Sequence, residues 1–220
     1  MSTHQSTATP SPGRRALKLM VRTAMLGALA TVLMYLDFPL GFFVSFLKMD
    51  FSDVPALIAG FSLGPAAGVI VQLIKNVFHL MQTKTGGVGE LSNFLLSVAM
   101  VLPASLVFHG LKKRTGAVTA RQVILSLLTG AAAFCLAGCA VNYFIIIPLY
   151  SRLYLPLDVI FKMAGDLIPD ALENASPMFQ IDSLGKLVLW SITPFNVFKS
   201  IVVAFLTFWL HKYLCRVLEG

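Results

Sequence analysis

Long apolar runs alternate with short polar segments along this chain. Thr23–Leu36 is apolar behind Lys18 and Arg22, whose long side chains can reach back to an aqueous interface. Leu91–Leu111 carries no charge apart from any on His109, Val123–Tyr150 is uncharged and holds Pro148 near its end, and Leu187–Leu210 contains a single Lys, Lys199. About 20 apolar residues cross a bilayer as a helix, so the last three runs predict spans directly. The first does so once its basic start is included. Val54–Leu80 is either one long span or two short ones broken at Ser62-Leu63-Gly64-Pro65, because Gly and Pro punctuate helices.

Charge decides between the two. With a basic N-terminus inside, a single crossing of Val54–Leu80 would leave Lys112-Lys113-Arg114 outside, against the positive-inside bias. Two crossings return that cluster inside, together with Arg121, Lys212 and Arg216. The same topology sends Asp37, Asp50, Asp53, Glu90, Asp158, Asp166, Asp170, Glu173 and Asp182 to the outer side and leaves only Glu219 within. The expected fold is therefore an all-α integral membrane protein of six transmembrane helices with both termini cytoplasmic. Spans are expected at about 18–36, 53–63, 65–82, 91–111, 121–147 and 187–210, and outer loops at 37–52, 83–90 and 148–186. The second and third spans are short for full crossings and must be thin, tilted or partly re-entrant.

Composition agrees. Of 220 residues 57% are hydrophobic and 12% charged, against about 45–50% and about 25% in soluble domains. This excludes a soluble enzyme, an acidic scaffold and a disordered chain. The net charge of +7 reflects cytoplasmic Lys and Arg rather than nucleic-acid binding, since no basic stretch is interleaved with aromatics. Residues 1–15, Ser/Thr/Pro-rich at first, are expected to form a disordered cytoplasmic tail ahead of a membrane domain at 16–220. The first span reads as uncleaved, because its one small-x-small triplet, Ala28 to Ala30, lies inside the apolar run. Within the 148–186 loop, the stretch beginning at Phe161 and ending at Ala175 predicts a short interfacial helix. Cys135, Cys139 and Cys215 read as small hydrophobes, with no metal-ligand partners near them in sequence.

Polar groups inside spans ask for an explanation, because an ionisable residue at mid-membrane costs about 2.5–3.5 kcal/mol on insertion scales. Lys199 has Asn196 at i−3 on the same helical face and no acid on its own helix. Asn142 and Tyr143 sit in the outer half of the fifth span. Lys75, Asn76 and His79 cluster in the third, where Lys75 is expected to pair with Asp53 or Glu90. Glu90 and Asn93 open the fourth, just after Gly86-Gly87-x-Gly89. Asn76, His79 and Asn93 have interhelical hydrogen bonding as an alternative role. Lys199 and Asn196, with Asn142 opposite, offer donors and acceptors suited to a neutral heterocycle with amide-like edges. No Walker loop, H-E-x-x-H, G-x-S-x-G or intramembrane carboxylate pair is present, so no enzyme and no catalytic residue is expected. A transporter without a nucleotide site must couple to an ion or draw on other subunits.

Four segments carry a more specific signal: FLKMDFSDVPALIAGFSLGPAAGVIVQLIKN, then TGGVGELSNFL, NYFIIIPLY and PFNVFKSIVV. In that order they resemble the riboflavin-specific S components of energy-coupling factor (ECF) transporters, over about Ala16 to the C-terminus. The resemblance implies a six-helix subunit of an ABC-type vitamin importer in the cell membrane, capturing riboflavin from outside. It implies docking on one transmembrane T component and two ATPase subunits, which would use the ATP; no cofactor and no metal are implied for this chain. It also implies that Ala24 and Ala28, spaced Ala-x-x-x-Ala, contact the T component. Asn196 and Lys199 match the family's Asn-x-x-Lys, Asn142 matches the Asn of the fifth helix, and Phe46 to Asp50 match the lid loop, including Leu47, Lys48 and Met49.

A flavin suits these residues. Leu40, Phe43, Phe46, Leu47 and Met49 would face its dimethylbenzene end, while Asn and Lys side chains match its carbonyls and N–H. Glu90 and Asn93 would meet the ribityl hydroxyls, and Tyr143 lies beside Asn142. Rival readings are an S component for thiamine or pantothenate, and an ion-coupled secondary transporter. A buried Lys199 serves cationic thiamine poorly, and the mid-span positions lack the carboxylates an ion-coupled carrier would use.

Overall fold

The computed structural model describes residues 12–169 and 176–219, with side chains of the last helix described through Tyr213. Helix α1 (Pro12–Tyr35) leads into a two-residue antiparallel ribbon, β1 (Phe38–Pro39) and β2 (Lys48–Met49), with Phe38 opposite Met49. Then come α2 (Asp53–Ser62), α3 (Pro65–His79) and α4 (Val88–Thr115). Helix α5 runs Ala120–Val141, passes a π turn at Asn142–Ile146 and continues as Ile147–Leu153. A short α6 (Leu157–Gly165) follows. The last helix, α7, starts at Leu184–Leu187, passes a second π turn at Val188–Ile192 and continues as Thr193–Glu219.

Among the described residues four helices are long and apolar enough to cross a membrane: Pro12–Tyr35, Val88–Thr115, Ala120–Leu153 and Leu184–Tyr213. Their outward faces carry large apolar side chains such as Met25, Leu136, Phe144, Phe205 and Trp209, as a lipid-facing surface requires. Between them the 54–80 region folds as a helical hairpin, broken at Leu63-Gly64 where φ of Gly64 is 114°. Pro65 starts α3 at a position where its missing N–H costs nothing. The ten residues of α2 rise only about 15 Å, half a bilayer. The chain from Asp37 to Ser52 precedes it as ribbon and loop rather than helix.

Helix α2 is apolar all round and buried from Asp53 through Phe61, packed on α1, α3, α4 and α7. Gly68 lets α3 approach it closely; a Cβ there would meet the Ala56 carbonyl at 2.9 Å. Phe61 stacks on Phe108 with centroids 4.5 Å apart, and His109 bonds the Gly60 carbonyl at 2.9 Å, fixing the far end of the hairpin to α4. Helix α5 opens on a capping box, in which Thr119 and Gln122 satisfy each other's backbone N–H groups.

Several boundaries differ from the sequence reading. Pro12 to Arg15, expected in the tail, form the first turn of α1, since Pro is favoured there and Arg and Ala propagate a helix; residues 1–11 lie outside the described residues. In the 148–186 loop a helix at Leu157–Gly165 begins four residues before the expected one and overlaps it at 161–165; Asp170 to Ala175 lie outside the described residues, as does the Cys215 side chain.

Candidate functional site

A cavity of about 460 Å³ opens between α1, the 37–52 loop, α4, α5, α6 and α7, within the roughly 300–1,000 Å³ of small-molecule sites. One end is polar and built on a turn. Gly86 and Gly87, with φ of 54° and 92°, reverse the chain before α4. The reversal lets Thr83 Oγ1 accept from the Gly87 N–H (3.0 Å) and Thr85 Oγ1 from the Gly89 N–H (2.9 Å). Both hydroxyls then donate to Glu90 Oε2, while His79 Nδ1 stands 2.8 Å from Glu90 Oε1. The Tyr35 ring lies over His79, and its hydroxyl donates to the Phe78 carbonyl at 2.7 Å. Asp37 and Lys48, 2.7 Å apart, brace the ribbon alongside.

The other end is set by α5 and α7. Gly138 abuts both Leu96 and the Asn196 amide, which puts these three residues at one level. Lys199, a turn further along α7, therefore stands roughly 13 Å below Glu90 at 1.5 Å per residue. Asn142 Nδ2 donates back to the Gly138 carbonyl at 2.8 Å, leaving its carbonyl oxygen for other work. The Asn196 amide nitrogen is buried without a hydrogen-bond partner. Lys199 Nζ donates to Asp50 Oδ2 at 2.7 Å, with Asp53 Oδ2 at 3.8 Å. Phe46, Leu47, Leu96, Phe134, Ile147 and Phe195 supply apolar wall between the ends.

Of the residues singled out from sequence, Phe46, Leu47, Lys48, Asp50, Glu90, Asn93, Asn142, Asn196 and Lys199 line this one cavity. Leu40 is half-buried in the loop, Met49 is buried on β2, and Phe43 packs edge-on against Phe195 at 5.3 Å; none of the three lines it. Tyr143 points away, 41% exposed and T-stacked on Phe144: Asn142 and Ile146, four apart, face inward, and Tyr143, Phe144 and Ile145 between them face outward. Ala24 and Ala28 are exposed on α1.

Lys75 pairs with Asp53 at 2.7 Å, one of the two partners expected. Lys199 has a partner that its own helix does not supply: Asp50, 149 positions away. Sequence reasoning passed over Tyr35, Thr85, Ser97, Phe134 and Tyr150, all cavity-lining, and did not pair His79 with Glu90. A signal for His79 existed, since it and Glu90 flank the glycine turn at a separation that a tight reversal closes. Cys135 and Cys139 both face α7, with sulfurs 3.9 Å from Ser200 Oγ and 3.2 Å from Thr193 Oγ1. Among the described residues no three His, Cys, Asp or Glu side chains gather as a metal site would require.

Comparison with known proteins places the chain. The family model "ECF transporter, substrate-specific component" matches residues 18–211. The riboflavin transporter RibU of Staphylococcus aureus is 31% identical over 212 residues, covering 94% of this chain and 98% of that protein. The riboflavin transporter FmnP of Bacillus subtilis is 35% identical over 190 residues, covering 85% of this chain and 86% of its own. A solved structure of the S component of a bacterial ECF transporter superposes with a TM-score of 0.67 at 27% identity, covering 93% of this chain and 99% of that one.

Proposed function

Because this chain belongs to the substrate-specific components of ECF transporters, a family of multi-pass membrane transport proteins and not of enzymes, we propose that it is the subunit that captures riboflavin for an ECF-type importer. Both curated relatives described above are riboflavin transporters. The observation that carries the reading to this chain is the convergence of Asn142, Asn196 and Lys199 at one end of an otherwise largely apolar cavity. Isoalloxazine is planar, apolar at its dimethylbenzene edge and rich in carbonyl and N–H groups at the other. The unpartnered Asn196 amide and the free Asn142 carbonyl oxygen offer one donor and one acceptor to that edge, and the Lys199 ammonium offers a second donor. Asn93 and Glu90, toward the opposite end, suit the ribityl hydroxyls. Phe46, Leu47, Lys48 and Asp50 come from the loop that closes over the ligand. Leu40 and Met49 shape that loop from behind, and Tyr143 packs outside it.

In the proposed topology α2 and α3 count as the second and third of six spans, both termini are cytoplasmic, and the cavity opens outward. Residues 1–15 form a cytoplasmic segment ahead of the 16–220 membrane domain. The chain would carry no cofactor of its own; ATP would be used by two ATPase subunits joined to it through a T component that packs on Ala24 and Ala28. Expression in riboflavin-fed cells tests the reading. The detergent-purified chain should carry a yellow chromophore whose mass is that of riboflavin, and colourless protein from such cells would overturn the assignment.

A further inference from the structure

We propose that Lys75 is a positioning residue for ligand capture: from behind the cavity wall it fixes where the Lys199 ammonium stands. The proposal rests on the riboflavin reading above. Lys75 is fully buried and lies outside the cavity lining. Its ammonium donates to Ser52 Oγ at 2.6 Å and to Asp53 Oδ1 at 2.7 Å. Ser52 Oγ, having accepted from Lys75, gives its own proton to Asp50 Oδ1, which also accepts the Ser52 backbone N–H at 2.9 Å. Asp50 Oδ2 is then the oxygen left for Lys199, at 2.7 Å. Because an ammonium can only donate, donor direction runs one way from Lys75 through Ser52 to Asp50.

Charge forms the second and stronger link. Lys199 has two carboxylates in reach: Asp50, on the cavity wall, and Asp53, behind it, whose Oδ2 is 3.8 Å away. Asp53 Oδ2 is buried and accepts no hydrogen bond, so it is an open seat for an ammonium. Lys75 and Gln72 make it the weaker seat, since both already donate to Asp53 Oδ1, at 2.7 and 2.9 Å. The four buried charges balance: Asp50 and Asp53 against Lys75 and Lys199. Without Lys75, Asp53 becomes an uncompensated buried carboxylate, a costly state that draws Lys199 off the wall and away from the ligand.

Riboflavin fluorescence titrations on folded, detergent-purified protein test this with the unsubstituted chain, Lys75→Met, Lys199→Met, Lys75→Met/Lys199→Met and Lys75→Met/Asp53→Asn. Lys75→Met should weaken binding about tenfold, yet change it less than about twofold when Lys199 is already Met, because contacting residues in one network are non-additive. An equal loss in both backgrounds is what a merely structural role gives, and it would overturn the proposal. Should Lys75→Met alone not fold, the charge-balanced Lys75→Met/Asp53→Asn variant decides. Its affinity should stay within about threefold of the unsubstituted chain; affinity as weak as that of Lys199→Met would overturn the proposal. An unsubstituted chain that does not bind riboflavin brings down the functional reading and this role together. A binding chain that Lys75→Met leaves unchanged brings down the positioning role alone.

Discussion

Lys199 Nζ and Asp50 Oδ2 stand 2.7 Å apart, although 149 positions separate them in the chain. The pair fastens the 37–52 loop, which lines the cavity, to the last helix, and both partners are buried, 4% and 3% exposed. An ammonium inside a membrane domain is tolerable here because a carboxylate from another element meets it.

Two effects of Lys199→Met are separable for that reason. Losing a donor to the ligand should cost about 1–3 kcal/mol of binding, roughly ten- to hundredfold in affinity. Stranding Asp50 should lower thermal stability as well, since breaking a buried pair from one side costs about 3–5 kcal/mol. Lys199→Met/Asp50→Asn should recover much of the melting temperature without the affinity. Thermal unfolding and flavin titration on the same preparations read the two effects independently.

Gly138 is the position where α5 and α7 come close enough to set the Asn196 amide. A Cβ there would overlap that amide, so Gly138→Ala should displace it and weaken riboflavin binding about tenfold. Overpacking of this kind costs about 1–3 kcal/mol of stability. Gly185→Ala, whose added methyl would meet nothing within 4 Å, should leave both affinity and melting temperature unchanged.

Ala24 and Ala28 are exposed on α1, away from the cavity. Replacing both by Leu should leave riboflavin affinity intact and abolish uptake by the assembled transporter, because bulky side chains hold a partner helix out of packing range. Normal co-purification of the double variant with the T and ATPase subunits would remove this surface from the account.

Much of the architecture is legible in hydropathy and charge. The break between Ser62 and Pro65 follows from Gly64-Pro65, and it leaves α2 and α3, neither long enough to look like a span. What hydropathy does not convey is that Asp37–Ser52 folds back as ribbon and loop to line the cavity. In the site, Asn142, Asn196 and Lys199 stand out because polarity is costly where they lie. Asp50 as the partner of Lys199 does not, since no periodicity connects a loop to a helix 149 positions on. Tyr143 shows the opposite failure. Its neighbour Asn142 faces the cavity, but adjacent residues on a helix are turned about 100° apart, so the tyrosine faces outward, 41% exposed.

Energy coupling supplies a further expectation. With no nucleotide-binding loop in the sequence, the purified chain in ATP-free liposomes should bind riboflavin at the membrane without concentrating it inside. Radiolabelled uptake that rises above the external concentration would contradict dependence on partner subunits.

The most direct test of the central claim is a flavin fluorescence titration of the ligand-free chain, with thiamine and pantothenate as competitors. The account predicts quenching that saturates at one riboflavin per chain, unaffected by an excess of about hundredfold of either competitor, a margin that corresponds to about 2.7 kcal/mol of discrimination. Absence of saturable quenching, or displacement of riboflavin by either competitor at comparable concentration, would contradict it.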